Sequence, residues 1–218
     1  MCEPGVVLHV MNRANRKQRI FHGETDYSLF VEVLAAATQK FAVRLLAFCV
    51  MPNHWHLVIW PSAGDDVPAY MHWLTSTHVR QYHRVHGLIG TGHLYQGRYV
   101  SVPVQTDRHL LTVLRYVEAN AVRGGLVTRA QDWPWSSVAE EGDGVRGFIA
   151  PSPIQRPADW LQYLNGPADG IERLRRAVAK GRPFGSLRWT QETAERCGLT
   201  STLRDPGRPP RIPRPSLG

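Results

Sequence analysis

Two apolar runs joined by Pro52-Asn53 constrain the fold of this chain more than any other feature. The first run, Val43–Val50, is apolar at almost every position, and the second begins at His54. Each run has the length of a typical strand, and proline beside asparagine is typical of a turn. The pattern therefore predicts a β-hairpin.

The stretches on either side of the hairpin complete a regular order of strands and helices. Before the hairpin we predict a strand over Gly5–Asn12 and a helix that is capped by Thr25 or Asp26 and ends near Phe41. After it we predict a second helix over Val67–His86 and a strand near Arg98–Val104. A third helix, capped by Thr106 or Asp107, is predicted to end near Val122. The order β-α-β-β-α-β is that of a ferredoxin-like split βαβ sheet. We therefore expect an α+β fold, with an antiparallel sheet and helices on one face.

Beyond the main domain, residues 1–139, the composition changes. Residues 140–200 are predicted to be a linker rich in Gly and Pro, followed by a small helical extension. Short helices are predicted near Asp159–Leu164, Gly170–Ala179 and Trp189–Cys197. Residues 201–218 form a tail rich in Arg and Pro, which we expect to be disordered because it has too little apolar surface to fold.

A net charge of +8 indicates the kind of partner. It arises from 26 Lys and Arg against 18 Asp and Glu, and only three of the basic residues are lysines. Guanidinium groups bind phosphate through two hydrogen bonds and stack on bases, so the composition predicts a nucleic-acid partner. Codon usage in a GC-rich genome would also favour Arg over Lys, but it does not explain the excess of bases over acids.

Six basic residues are candidate phosphate contacts. They are Arg13, Arg16 and Lys17 in a turn after the first strand, Arg98 in the motif HLYQGRY, and Arg115 and Arg123 on the third helix. Each has the alternative interpretation of a solvated surface charge.

His54 and His56 lie one residue apart in a predicted strand. Alternate side chains of a strand share a face, so the two imidazoles lie side by side, opposite Trp55. Such a pair can bind a metal ion, although this spacing alone is more often found in surface or core histidines. Tyr116 and Asn120, four residues apart, are predicted to lie on one face of the third helix. Taken alone, they could be an ordinary boundary tyrosine and a late-helix polar residue.

Together these motifs resemble those of the HUH single-tyrosine transposases, the insertion sequence 200-like superfamily, and most closely their REP-associated branch (RAYT proteins). The resemblance rests on the stretches HVMNRANRKQRIF, AFCVMPNHWHLVIWP, HLYQGRY, LLTVLRYVEANAVRGGLV, DWPWSS and GRPFGS, which cover most of the chain in the family's order. Two positions depart from the family pattern, with Ala121 in place of proline and Gly124 in place of alanine. Neither change removes a catalytic group.

The resemblance implies a function and a set of site residues. His54, His56 and Asn120 would bind a divalent metal, Mg²⁺ or Mn²⁺, and Tyr116 would attack a phosphodiester of single-stranded DNA to form a covalent phosphotyrosine. The substrate would be a REP-type hairpin in the host chromosome. Neutral imidazole and amide ligands suit this chemistry because they leave the site electropositive toward phosphate.

Alternatives remain at this point. The chain could be a non-catalytic, domesticated protein that binds hairpin DNA or RNA on the same sheet, or a relaxase or replication initiator, which its motif order and short length disfavour. A monomer is favoured over a dimer. Three scattered cysteines argue against a disulfide framework and favour the cytoplasm. A DNA partner would place the protein in association with the nucleoid.

Overall fold

A computed structural model of the chain describes residues 5–41, 43–62, 66–90, 92–139, 147–167 and 170–204. Within these ranges the strands are β1 (Val7–Arg13), β2 (Val43–Met51), β3 (His54–Pro61) and β4 (Val100–Val104). The helices are α1 (Glu24–Lys40), α2 (Asp66–Val85), α3 (Arg108–Glu118), α4 (Asn120–Arg123), α5 (Trp160–Asn165), α6 (Ile171–Lys180) and α7 (Leu187–Arg196). Among the described residues, no helix is long and apolar enough to cross a membrane.

The four strands form one antiparallel sheet in the order β2-β3-β1-β4. This is the order of a split βαβ motif, in which β3 lies between β1 and β2, so the predicted α+β fold is confirmed. The predicted hairpin is also confirmed, because β2 pairs with β3 and Met51 lies opposite His54. On the other side of β3, Arg13 of β1 lies opposite His54.

The helices cover both faces of the sheet, whereas the sequence led us to expect them on one face. The helices α1 and α2 pack together with Trp55 and Leu57 in one buried cluster. The helix α3 packs on the opposite face, with Val58 of β3 and Val102 of β4 in a second cluster. The expectation was wrong for α3 because periodicity shows which side of a helix is buried, but not against which face of a sheet. The face of β3 that carries His54 and His56 is therefore the one covered by α3.

The helix ends differ from the predictions in two places. Gly23 is the N-cap residue of α1, so Thr25 and Asp26 lie inside its first turn. At the third helix Asp107 is the cap, as predicted, and its carboxylate accepts a hydrogen bond from the backbone N–H of His109 at 2.7 Å. That helix, however, does not run unbroken to Val122, because it is interrupted after Glu118 and resumes as α4.

The extension after residue 146 packs on the main domain through backbone pairing. Ile149 pairs with Leu45 of β2, and Phe184 pairs with Val104 of β4. The hydrogen bonds run from the Ala150 N–H to the Leu45 carbonyl at 2.7 Å and from the Phe184 N–H to the Pro103 carbonyl at 2.8 Å. The three short helices of the extension lie close to their predicted positions.

A buried carboxylate also fixes the extension to α3. Glu118 is fully buried and accepts hydrogen bonds from the Ser137 hydroxyl at 3.0 Å, the Arg156 guanidinium at 3.2 Å and the Trp160 indole at 2.8 Å. Burial raises the pKa of Glu118 above its ordinary value, and the neighbouring Arg156 opposes that rise. A carboxylate with three donors serves packing and is not available to a ligand.

The tail and the cysteines differ in part from what the sequence predicts. Most of the tail predicted to be disordered, residues 205–218, lies outside the described residues, whereas Thr200–Leu203 form a 3-10 turn. Cys197 is disulfide-bonded, whereas the scattered cysteines led us to expect no disulfide framework. Cys49 is free and buried, and burial raises its pKa to about 12, so its thiol is inert at neutral pH.

Candidate active site

His54 and His56 lie side by side at the start of β3, on the face covered by α3. Their ring centroids are 5.1 Å apart and the rings meet edge to face. Trp55 points to the other face, where it is fully buried and donates its indole N–H to the Tyr95 hydroxyl at 2.9 Å. The strand alternation predicted from sequence therefore holds, and it places both imidazoles on one rigid surface.

A third histidine, His9 of β1, joins this pair and was missed in the sequence analysis. His9 is 1% exposed, and its Nε2 lies 2.9 Å from Nδ1 of His56, with the two rings stacked. The sequence contains a signal for His9, because it is a lone polar side chain in an apolar strand and such a side chain needs a partner when it is buried. The predicted fold also sets β1 beside β3.

The ring hydrogen bonds leave one nitrogen of each site histidine available. Asn53 Oδ1 lies 2.6 Å from Nδ1 of His54, and since an amide oxygen only accepts, His54 carries its proton on Nδ1. His56 uses Nδ1 toward His9. In both residues Nε2 is therefore the nitrogen left for a ligand, and a partner on the other nitrogen is the arrangement usual in metal-binding histidines.

All three histidines are neutral at neutral pH, as metal binding requires. Burial lowers the pKa of His9 to about 4, with a smaller contribution from Arg123. Burial and the nearby Arg13 lower the pKa of His54 to about 4. Burial and the surrounding histidines hold the pKa of His56 well below its ordinary value. No proton has to leave these rings before a cation binds.

Tyr116 of α3 lies against the histidines. Its ring centroid is 5.7 Å from that of His56 and 5.8 Å from that of His9, with both contacts edge to face. The structure thus brings together the predicted nucleophile and both predicted imidazole ligands, although they come from elements 60 residues apart in the chain.

Asn120 does not continue the helix that carries Tyr116. The backbone leaves helical geometry at Ala119, with φ −88° and ψ 14°, so the two residues are not stacked on one unbroken helix as predicted. Arg123 lies at this break, and its Nη2 donates to the Tyr116 carbonyl and to Asn120 Oδ1, the second contact being 3.1 Å long. The guanidinium also lies 4.2 Å from the centre of the Tyr116 ring. Arg123 therefore contacts both the predicted nucleophile and the predicted third ligand.

The two imidazoles of the site are suitable ligands for a divalent cation. The amide of Asn120 is less suitable, because Arg123 already donates to its oxygen. No group of three or more His, Cys, Asp or Glu among the described residues is arranged to hold a metal ion, so a metal would depend on His54, His56 and Asn120. Asn120 is 8% exposed and its Nδ2 has no hydrogen-bond partner. Its Oδ1 uses one lone pair toward Arg123 and keeps a second for a cation.

Three of the predicted phosphate contacts surround the His54 end of the site. Arg13 lies opposite His54, and its Nε is buried without a partner. Arg16 and Lys17 are exposed in the next turn with positive φ angles of 52° and 58°, which are uncommon for residues other than glycine. The Asn53 amide donates to the Lys17 carbonyl at 2.9 Å and so ties this turn to the hairpin beside His54.

The other three predicted phosphate contacts, Arg98, Arg115 and Arg123, have different environments. Arg98 is exposed, whereas Arg123 is half-buried at the Ala119 break described above. Arg115 is 6% exposed, and its Nη2 donates to the carbonyls of Gly166 and Pro167 at 2.9 and 2.6 Å. Its guanidinium also lies 4.1 Å from the Tyr163 ring centre. Arg115 thus connects α3 to the extension, and its side chain is not presented to solvent.

Comparison with known proteins gives the relatives of this chain. The model of the family described as "Transposase IS200 like" matches residues 3–120. A protein of Haemophilus influenzae named as a REP-associated tyrosine transposase is 25% identical over 122 residues, which cover 52% of this chain and 69% of that protein. The match to the family model spans the four strands of the sheet and α3.

Two solved structures match this chain, the first of them more closely. A REP-associated tyrosine transposase bound to a REP hairpin has a TM-score of 0.50 and 21% identity, over 71% of this chain and 87% of that one. A transposase from Deinococcus radiodurans has a TM-score of 0.41 and 17% identity, over 52% of this chain and 89% of that one. At 21% identity the first likeness shows a shared fold.

Proposed function

Since this chain belongs to the family of IS200-like transposases, we propose that it cleaves and rejoins single-stranded DNA at REP-type hairpins through a covalent phosphotyrosine. In this proposal Tyr116 is the nucleophile and His54, His56 and Asn120 bind Mg²⁺ or Mn²⁺. The hairpin substrate is suggested by the relative named for REP elements and by the similar structure bound to a REP hairpin. Chromosomal substrates would place the protein in the cytoplasm, in association with the nucleoid.

The observation that carries this proposal is the position of Tyr116 beside His56. The two ring centroids are 5.7 Å apart, and the available Nε2 atoms of His54 and His56 belong to the same cluster. The residues that would bind a cation and the residue that would attack phosphorus are therefore close enough to act on one phosphodiester. A protein that only bound a hairpin would not need a hydroxyl nucleophile there.

The residues present would act on a phosphodiester in three ways. The Tyr116 oxygen would form a bond to phosphorus, one phosphate ester bond would break, and the freed hydroxyl end would take up a proton in place of the one that Tyr116 loses. Arg123, 4.2 Å from the Tyr116 ring, supplies positive charge where the phenolate develops. Arg13, Arg16 and Lys17 would hold the DNA backbone beside His54.

A divalent cation bound by His54, His56 and Asn120 would supply Lewis-acid polarisation of the scissile phosphate. The phosphotyrosine ester retains the energy of the broken bond, so a hydroxyl end of another strand can displace Tyr116. This reversibility suits strand transfer better than hydrolysis. In this proposal the protein acts as a monomer.

The test is formation of a covalent adduct with a labelled single-stranded hairpin oligonucleotide in the presence of Mn²⁺. We expect wild-type protein to form an adduct that survives denaturation and Tyr116→Phe to form none. Tyr163→Phe, at an exposed tyrosine of α5, is the matched control and should form the adduct. His54→Ala and His56→Ala should lose cleavage while retaining hairpin binding.

Tight hairpin binding with no adduct under Mg²⁺ or Mn²⁺ would contradict an enzyme and support the alternative, a domesticated hairpin-binding protein. An adduct that persists in Tyr116→Phe would assign the nucleophile to another residue.

A further inference from the structure

Arg123 carries a positive charge that no neighbouring carboxylate balances. Its guanidinium is half-buried and stays protonated at any ordinary pH. Within the part of the chain that the structure describes, Arg123 forms no ion pair with a carboxylate, and its Nη1 is buried without a hydrogen-bond partner. A partly buried cation without an anion is costly, and its charge acts on the groups that lie beside it.

The side-chain oxygen of Asn120 lies directly beside this charge. Arg123 Nη2 donates to Asn120 Oδ1 at 3.1 Å, and the amide nitrogen of Asn120 has no hydrogen-bond partner, so Arg123 is the group that orients this side chain. A divalent cation bound at Oδ1 would share one oxygen with the guanidinium. The two positive charges would repel each other at that distance, and the repulsion lowers the affinity for the cation.

The backbone around Asn120 is packed too closely to move away from Arg123. The Gly124 N–H donates to the Asn120 carbonyl at 2.9 Å, and the Arg123 N–H donates to the Ala119 carbonyl at 3.1 Å. A Cβ atom added to Gly124 would lie only 2.7 Å from Cε of Met51, so α4 packs directly on β2. The contact between Asn120 and Arg123 is therefore relieved by rotation of the arginine side chain and not by a shift of α4.

We propose that Arg123 competes with the divalent cation for the side-chain oxygen of Asn120, so that the cation gains its third protein ligand only when the guanidinium turns away. The inference rests on the proposed function, because it assumes a cation at His54, His56 and Asn120. It adds a second role for Arg123, which weakens metal binding in the protein without DNA although it supports the nucleophile. In that state the cation depends on the two imidazoles.

The test measures Mn²⁺ binding to the protein without DNA, by electron paramagnetic resonance of the free ion. We expect Arg123→Met, which keeps an apolar side chain of similar length without the charge, to bind Mn²⁺ about tenfold more tightly than wild type. Arg123→Gln is also neutral and should bind more tightly, so the measurement remains possible if Arg123→Met fails to fold. An arginine that only held Asn120 in place for the cation would give the opposite result, because its loss would weaken binding.

A double-mutant cycle separates the contact with Asn120 from the effect of charge alone. Asn120→Ala removes the oxygen for which the two cations compete, so Arg123→Met should give a much smaller gain in that background. Arg13→Met is the matched control, since it removes another half-buried arginine, which lies opposite His54 and is not a hydrogen-bond partner of Asn120 among the described residues. Its effect on Mn²⁺ affinity should be the same with and without Asn120.

Mn²⁺ binding by Arg123→Met that is equal to or weaker than that of wild type would overturn the inference, and so would a gain that Asn120→Ala leaves unchanged. Wild-type binding no tighter than that of the double variant His54→Ala/His56→Ala would overturn the proposed metal site itself, and the inference with it. The histidine variant therefore distinguishes the two failures.

Discussion

His9 Nε2 lies 2.9 Å from His56 Nδ1, so a buried histidine of β1 holds the ring of a predicted metal ligand on β3. A hydrogen bond at one imidazole nitrogen fixes both the ring orientation and which nitrogen carries the lone pair. His9 is thus a positioning residue toward His56.

We expect His9→Phe to weaken Mn²⁺ binding about 10- to 100-fold, because the aromatic ring fills the space but cannot hold His56. His9→Gln should bind more tightly than His9→Phe, since its side-chain amide can place a hydrogen-bonding atom near the position of Nε2. Titration of free Mn²⁺ by electron paramagnetic resonance, without DNA, measures this directly. Equal affinity of wild type and a folded His9→Phe variant would leave His9 as a packing residue only.

Arg123 is expected to be essential for the cleavage rate and less so for DNA binding. Its guanidinium contacts both the Tyr116 carbonyl and Asn120 Oδ1, so Arg123→Ala should displace the nucleophile, and a misplacement of about 1 Å can reduce a rate about 100-fold. Arg123→Lys should restore little of the cleavage rate, because an ammonium group lacks the planar arrangement of donors in a guanidinium group. The measurement is the single-turnover adduct rate at saturating hairpin. Arg129→Ala, at an exposed arginine paired with Asp132, is the control and should react as wild type.

Glu118 is expected to be the costliest carboxylate to remove. Glu118→Ala removes the ion-pair partner of Arg156 and the acceptor of the Trp160 indole, and breaking a buried ion pair in this way costs about 3–5 kcal/mol of unfolding free energy. Urea denaturation measures the loss. Glu172→Ala, at an exposed glutamate paired with Arg175, is the matched control and should unfold with wild-type stability. Similar stabilities of the two variants would contradict the structural role of Glu118.

Asp26 is expected to make stability depend on pH in the acid range. Burial alone would raise the pKa of Asp26, but hydrogen bonds from the His22 backbone and the His86 ring outweigh it and hold the pKa below its ordinary value of 3.8. Because the folded-state pKa is the lower one, the carboxylate stabilises the fold above pH 3.8, and this contribution is lost as the pH falls through the folded-state value.

Asp26→Asn should therefore be less stable than wild type by about 1–3 kcal/mol near neutral pH. The difference should shrink below pH 3.8, where the wild-type carboxyl group also becomes neutral. Urea denaturation at a series of pH values measures both curves, and a difference that is constant with pH would contradict the assignment.

The sheet and the histidine face were predictable because they depend on local patterns. The Pro52-Asn53 turn and the alternation around Trp55 specify a hairpin and its buried side. Asp107 was predictable as a cap for the same reason, since its contact is with a residue two positions away.

The interruption at Ala119 was not predictable from local sequence. Alanine is the best helix former, so its propensity argues against a break there, and in the structure the Arg123 side chain donates to the Tyr116 carbonyl at that point. The environment of Arg115 depends on chain that returns about 50 residues later, as its contact with Gly166 shows. Such long-range contacts leave no signal in the spacing of nearby residues.

The backbone pairing of the extension limits where this protein can be truncated. Ile149 and Phe184 lie along the two end strands of the sheet, β2 and β4, and β2 is also paired at Cys49 by Ser136. Open strand edges recruit strands from other molecules and lead to aggregation. A fragment ending at residue 139 would keep the Ser136 pairing on β2 but lose the segment that pairs with β4. We expect such a fragment to self-associate through the exposed edge of β4, which the extension covers in the full chain.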